Sequence, residues 1–119
     1  MKDNKRIFTL REAMALLPRV QECTAAAVAR AERLQSRIET APQGPRRTQL
    51  ETEYNAVVRA WAGQVVELGC EVKGMWLVDF DSGDGIYYCW RHPEPKLEYF
   101  HDYDTGFAGR RLLGRLAAL

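Results

Sequence analysis

Apolar or small residues recur along the first third of the chain in alternating steps of three and four. They are Leu10, Ala13, Leu17, Val20, Thr24, Ala27, Ala31, Leu34 and Ile38. This spacing is the seam of a helix that buries one side. Thr24 is its one polar member. Thr9 and Glu12 form a capping box at its start. Pro18 falls inside the seam; it lacks an N–H and crowds the preceding turn, which predicts a short helix from 10 to about 17 and a long one from Pro18 to about Thr40. Residues 41–45 (Ala-Pro-Gln-Gly-Pro) read as a connector. A second helical stripe follows in Leu50, Tyr54, Val57, Trp61 and Leu68, broken at Gln64, flanked by Val65 and Val66 and closed by Gly69. The two helices are expected to pair antiparallel as a hairpin. Alanines 25, 26, 27, 29 and 31 on the first allow close approach.

After Gly69 the period changes to two. Strands are predicted at 76–80, 86–91 and 97–101, joined by turn-forming segments at 81–85 and 92–95. A further short strand around Glu71–Lys73 is an option. The segment from Gly109 to Leu119 has the leucines of a short amphipathic helix (Leu112, Leu113 and Leu116), or it frays. With the first turn centred near Gly83 and the second near Glu94, residue 78 lies opposite 88, 80 opposite 86, 89 opposite 99 and 87 opposite 101. Alternation then gives the sheet two faces. One collects Trp76, Val78, Phe80, Ile86, Tyr88, Trp90 and Phe100, with Glu98 its one charge, and is read as the packing face against the hairpin. The other collects Leu77, Asp79, Tyr87, Cys89, Arg91, Leu97, Tyr99 and His101.

The predicted fold is therefore α+β: a long antiparallel helical hairpin (about 9–68) on a three-stranded antiparallel meander (about 71–102), then a loop and short helix over 103–119. All 119 residues fall in one domain. A formal net charge of +1 gives no general attraction to nucleic acid or anionic membrane. Neither a signal peptide nor a membrane span is evident. Cys23, Cys70 and Cys89 form an odd set without paired spacing, as expected of a reduced, cytoplasmic protein.

The second face of the sheet carries the candidate chemistry. On one reading it is a solvated surface with ion pairs such as Asp79 with Arg91. On the other it is a shallow binding face of Asp79, Tyr87, Cys89, Arg91, Tyr99, His101 and Arg110, with His101 a proton carrier, Cys89 a nucleophile or ligand, and Arg91 an anchor for a small anion. Cys89 and His101 are diagonal neighbours across the second hairpin, within reach for thiol chemistry, with nothing to show activation. A zinc site from Cys89, His92, His101 and Asp102 is disfavoured. Alternation puts Asp102 on the other face, and His92 lies in a turn. No metal and no cofactor are therefore expected. Thr105–Arg111 lacks the Gly-Lys-Ser/Thr ending of a phosphate loop. Arg110 is expected to pair with Asp102 or Asp104. Arginines 46, 47, 110, 111 and 115 are diluted by acidic neighbours and form no nucleic-acid motif.

Residues 8–18, Glu71-Val72-Lys73, residues 77–80, Tyr88-Cys89-Trp90-Arg91, and His101 through Gly106–Arg111 together resemble a bacterial domain-of-unknown-function family, numbered 2203. The resemblance implies a small bacterial protein with no assigned activity, substrate or cofactor. It also implies that Asp79, Cys89, Trp90, Arg91, His101, Gly106, Phe107, Gly109 and Arg110 belong to the family's pattern. The chain departs from that pattern at Gly74, Asp81 and Leu112, where an acidic residue, a proline and a proline are expected; the last departure permits a longer tail helix. The leading functional expectation is a non-catalytic binding or assembly module, a homodimer. The alternatives are a small-molecule or metal-dependent enzyme on the polar sheet face, and, less favoured, a nucleic-acid binder.

Overall fold

The computed structural model describes residues 5–114. Helix α1 spans Leu10–Thr40, and α2 spans Pro45–Glu67. The strands are β1 (Glu71–Gly74), β2 (Leu77–Asp81), β3 (Ile86–Arg91), β4 (Tyr99–Asp102) and β5 (Arg111–Leu112). They form one antiparallel sheet in the order β1-β2-β3-β4-β5. The α+β architecture of a helical hairpin on an antiparallel sheet is as expected, but the sheet has five strands rather than three.

The seam of α1 buries Ala13, Leu17, Val20, Thr24, Ala27, Ala31, Leu34 and Ile38. Leu10 packs against this core half-buried. The capping box is present: the Glu12 N–H donates to Thr9 Oγ1 at 3.0 Å, and the Thr9 N–H donates to Glu12 Oε1 at 2.9 Å. Thr9→Ala should lower stability by about 1 kcal/mol in urea denaturation, since it strips a donor's partner from the first turn. The expected break at Pro18 does not occur; α1 runs through it. Pro18 is exposed. The carbonyl that proline leaves without its helical donor is that of Met14, itself 51% exposed, so it lies on the solvent side of the helix, where such a loss costs least.

α2 begins with proline at its first turn. It buries Leu50, Val57, Trp61 and Val65, while Tyr54 and Leu68 are half-buried. Thr24, the polar position in the α1 seam, accepts from the Trp61 indole N–H at 2.8 Å. Gly69 ends the hairpin at φ 94°, and a Cβ there would meet the Arg6 side chain at 2.5 Å.

Several sheet expectations change. Glu71–Gly74 is a true strand. Residues 75 and 76 make the return turn, so Trp76 is no strand residue and has φ 63°; its ring still packs edge-on against Trp61, centroids 4.9 Å apart. Arg111–Leu112 is strand, not the start of a helix, and pairs with Tyr99 and Phe100. Leu113 and Gly114 are helical, and the remainder of the expected tail helix, from residue 115, lies outside the described residues. β4 starts at Tyr99, so Leu97 leaves the polar face and joins the core at 3% exposure.

The second hairpin has the expected register, with Cys89 opposite Tyr99 and Tyr87 opposite His101. The first is displaced by two residues: Val78 pairs with Trp90, Asp79 with Cys89, and Phe80 with Tyr88. Its turn is centred on Asp84. Asp81 Oδ1 accepts the Gly83 N–H at 2.8 Å, and Ser82 Oγ accepts the Asp84 N–H at 3.1 Å while donating to the Ile86 carbonyl at 2.6 Å. These local bonds set a turn one residue later. A displacement of two preserves alternation, so the faces survive. Val78, Phe80, Tyr88, Trp90 and Phe100 lie in the core with the helices.

Candidate functional site

The displaced register puts Asp79 directly beside Cys89. Adjacent strands β2, β3 and β4 each supply one residue to a cluster of Asp79, Cys89 and His101. They are 0%, 0% and 2% exposed. One ligand atom from each lies within 4.8 Å of the others.

His101 spans β3 to reach Asp79, with Nε2 at 2.9 Å from Oδ2. Its Nδ1 is 2.8 Å from the Asp102 carbonyl oxygen. A carbonyl only accepts, so Nδ1 carries a hydrogen and donates it. Nε2 then faces a carboxylate oxygen, and at that distance one proton lies between the two. The expected Asp79–Arg91 pair is replaced by this one. Among the described residues, the other carboxylate oxygen, Oδ1, is buried without a hydrogen-bond partner. Burial raises the Asp79 carboxyl above its ordinary value, against the pull of the Cys89 thiol, His101 and Lys73. The Cys89 thiol is pushed far above its ordinary range by burial and by the Asp79 charge beside it.

Side chains of the same face and of the segment after β4 roof the cluster. The Tyr87 ring leans on His101 and Tyr103, at 5.5 and 4.9 Å between centroids. The Tyr87 hydroxyl donates to Glu71 Oε1 at 3.2 Å, and Lys73 Nζ sits 4.4 Å over its ring. Glu71 in turn holds Lys73 at 3.0 Å and Lys5 at 3.4 Å. On the other flank the Arg110 guanidinium lies 3.9 Å over Tyr99 and 4.6 Å from the Phe107 ring centre. It donates to Glu94 Oε1 at 2.6 Å and to the Cys89 carbonyl at 3.3 Å. Glu94, not Asp102 or Asp104, is therefore the Arg110 partner, because the 92–95 turn brings it under the returning chain. Asp102 is taken by Arg111 at 3.1 Å.

Of the seven candidate residues, Asp79, Cys89 and His101 converge, while Tyr87, Tyr99 and Arg110 cover them. Arg91 stands apart: it is exposed, with its guanidinium 5.7 Å from Phe107. The zinc set considered from sequence does not assemble, since Asp102 contributes its backbone carbonyl and His92 packs edge-on to Trp90. Sequence reading missed Glu71, Lys73 and Glu94 as parts of the roof. The alternation of Glu71 with Lys73 was the available signal for the first two.

The thiols have a measurable consequence. Burial pushes Cys70 up to about 12 from 9.0. Cys89 is raised as well. A thiol that keeps its proton in the folded chain after the unfolded chain has lost it stabilises the fold fully below pH about 9, and that stability falls as pH rises. The unfolding free energy from urea denaturation should drop above pH 9, by about 1.4 kcal/mol per pH unit for each thiol, and the drop should flatten in Cys70→Ala/Cys89→Ala protein.

No helix among the described residues is long and apolar enough to cross a membrane. Comparison with curated proteins found no match, and neither did comparison with solved structures. A family model does match, over residues 6–113, and it spans both helices and all five strands. On that match the chain belongs to the family of uncharacterised conserved proteins called domain of unknown function 2203.

Proposed function

We propose that this chain is a non-catalytic binding module whose ligand is a metal cation, held on the closed polar face of the sheet. The observation that carries this reading is the convergence of a carboxylate, a thiol and an imidazole within 4.8 Å, all buried. Buried polar groups are normally satisfied, and Asp79 Oδ1 is not. A cation would satisfy it.

One feature supports binding over turnover: the donors have almost no exposure, so a substrate does not reach them as they stand. A cleft of about 490 Å³ lies on the opposite side of the sheet, lined by groups such as Phe8, Ile86 and Tyr88, and it holds none of the three donors.

Equilibrium dialysis of the full chain against Mg2+, Ca2+, Mn2+, Co2+ and Zn2+, each alone, tests the reading. One ion per chain should be retained for at least one of these metals. An ion at about 100 times its Kd should add about 2.7 kcal/mol of stability. Retention of none, or equal retention by Asp79→Asn/His101→Gln protein, would sink it.

A further inference from the structure

The cation reading leaves open which ions the site accepts, and the donor set narrows the choice; this inference rests on that reading. Mg2+ and Ca2+ are held by oxygen ligands, and Mg2+ keeps several waters. A buried cluster with one carboxylate, one imidazole and one sulfur suits them poorly. Zn2+ takes just these three donor types, and a thiolate selects soft or borderline ions. We propose that Asp79, Cys89 and His101 bind one thiophilic divalent ion of the zinc class, and that Cys89 is the residue that selects it.

Three observations independent of donor type support this. The His101 ring is already oriented as metal-bound histidines usually are, with its second N–H given to a backbone carbonyl, here that of Asp102 at 2.8 Å. Nε2 is thereby turned into the cluster. Asp79 Oδ1 is a buried acceptor with no partner. Finally, the donors come from three adjacent strands, so the ladder holds their backbones: Asp79 lies between Glu71 and Cys89, Cys89 between Asp79 and Tyr99, and His101 pairs with Tyr87. Around a tetrahedral zinc-class ion such donors stand roughly 3.3–3.6 Å apart. From separations of 2.9 to 4.8 Å the side chains need to shift on the order of 1 Å.

Binding as thiolate, carboxylate and neutral imidazole releases the Cys89 thiol proton and the one proton between Asp79 and His101 to solvent, while the imidazole keeps its Nδ1–H; two positive charges enter and two leave.

Co2+ added to the full-length chain is the test, because a cobalt–thiolate bond gives a sulfur-to-metal charge-transfer absorption that oxygen and nitrogen ligands do not. The expected result is one Co2+ per chain with that band, its displacement by one equivalent of Zn2+, and loss of the band in Cys89→Ser protein with unchanged far-ultraviolet circular dichroism. Co2+ bound one to one by the wild type without the band, or with a band that survives in C89S, overturns the selection by Cys89 and leaves the cation reading standing. Binding of no ion by the wild type overturns both. Should C89S fail to fold, alkylation of wild-type protein in urea below its unfolding midpoint gives the second reading. Zn2+ should then protect Cys89 and not Cys23. Equal labelling of Cys89 with and without Zn2+ counts against the assignment.

Discussion

His101→Ala is expected to destabilise the protein by about 3–5 kcal/mol, measured by urea denaturation in a chelator so that no ion contributes. The imidazole is 2% exposed, and its Nε2 is the one hydrogen-bond partner of Asp79 Oδ2. Oδ1 is already unpartnered. Without His101 the buried carboxylate would be left with the weak Cys89 thiol alone, and a cavity would open beneath the Tyr87 ring that rests on the imidazole. Asp79→Ala should cost a similar amount, because it leaves Nε2 facing nothing. Asp79→Val with His101→Phe should recover most of the loss, since replacing a buried polar pair by apolar groups of similar volume is often close to neutral. A coupling near zero in the cycle of Asp79→Val, His101→Phe and their combination, or a loss below about 1 kcal/mol for His101→Ala, would show that the pair is not an energetic unit. The same double variant removes two of the three proposed ion ligands. A protein that stays stable yet no longer retains an ion would separate what the cluster does for folding from what it does for binding.

Trp61→Ala is expected to cost about 3–5 kcal/mol as well, for a different reason. Trp61 is 1% exposed and sits where the hairpin meets the sheet, edge-on to Trp76 in the β1–β2 turn. Its removal opens a large cavity and strips Thr24 of its donor. Trp76 holds φ 63°, which a non-glycine residue adopts only when its surroundings impose it. Losing the ring it packs on should therefore loosen that turn and the edge strand β1. Hydrogen exchange of residues 71–78 should rise more than that of β3. Thr24→Val isolates the polar part: it keeps the shape and removes the acceptor, at about 1–3 kcal/mol for a buried indole N–H left unpaired. If Thr24→Val is neutral, the bond across the seam contributes nothing net.

The two predictions draw on different layers of the fold, and these layers were not equally legible in the chain. The α1 seam was legible residue by residue, because a helix repeats its environment every three to four positions and burial follows the period. The capping box was legible for a similar reason: it is a local exchange between residues 9 and 12. Pro18 misled because its effect on a helix depends on which side it faces. On the solvent side the loss costs least, and solvent side is a property of the packed hairpin.

The sheet divides in the same way. Alternation assigned Asp79, Cys89 and His101 to one face, and a displacement of two residues could not disturb that. Which of them touch was a different matter. With Asp79 opposite Tyr87, as a turn centred on Gly83 would have it, no three-donor cluster is expected. The side chains of Asp81 and Ser82 move the turn by one residue, and Asp79 comes to lie beside Cys89. β5 and the Arg110–Glu94 pair were out of reach altogether, because they join segments that meet only after the chain has folded back over the sheet. The sequence by itself determined what repeats or acts locally: the helical seam, its cap, the two faces and the residue types on each. The tertiary structure alone decided register, the number of strands, and what covers the polar face, since each depends on contacts between residues distant along the chain and on how tightly one turn closes.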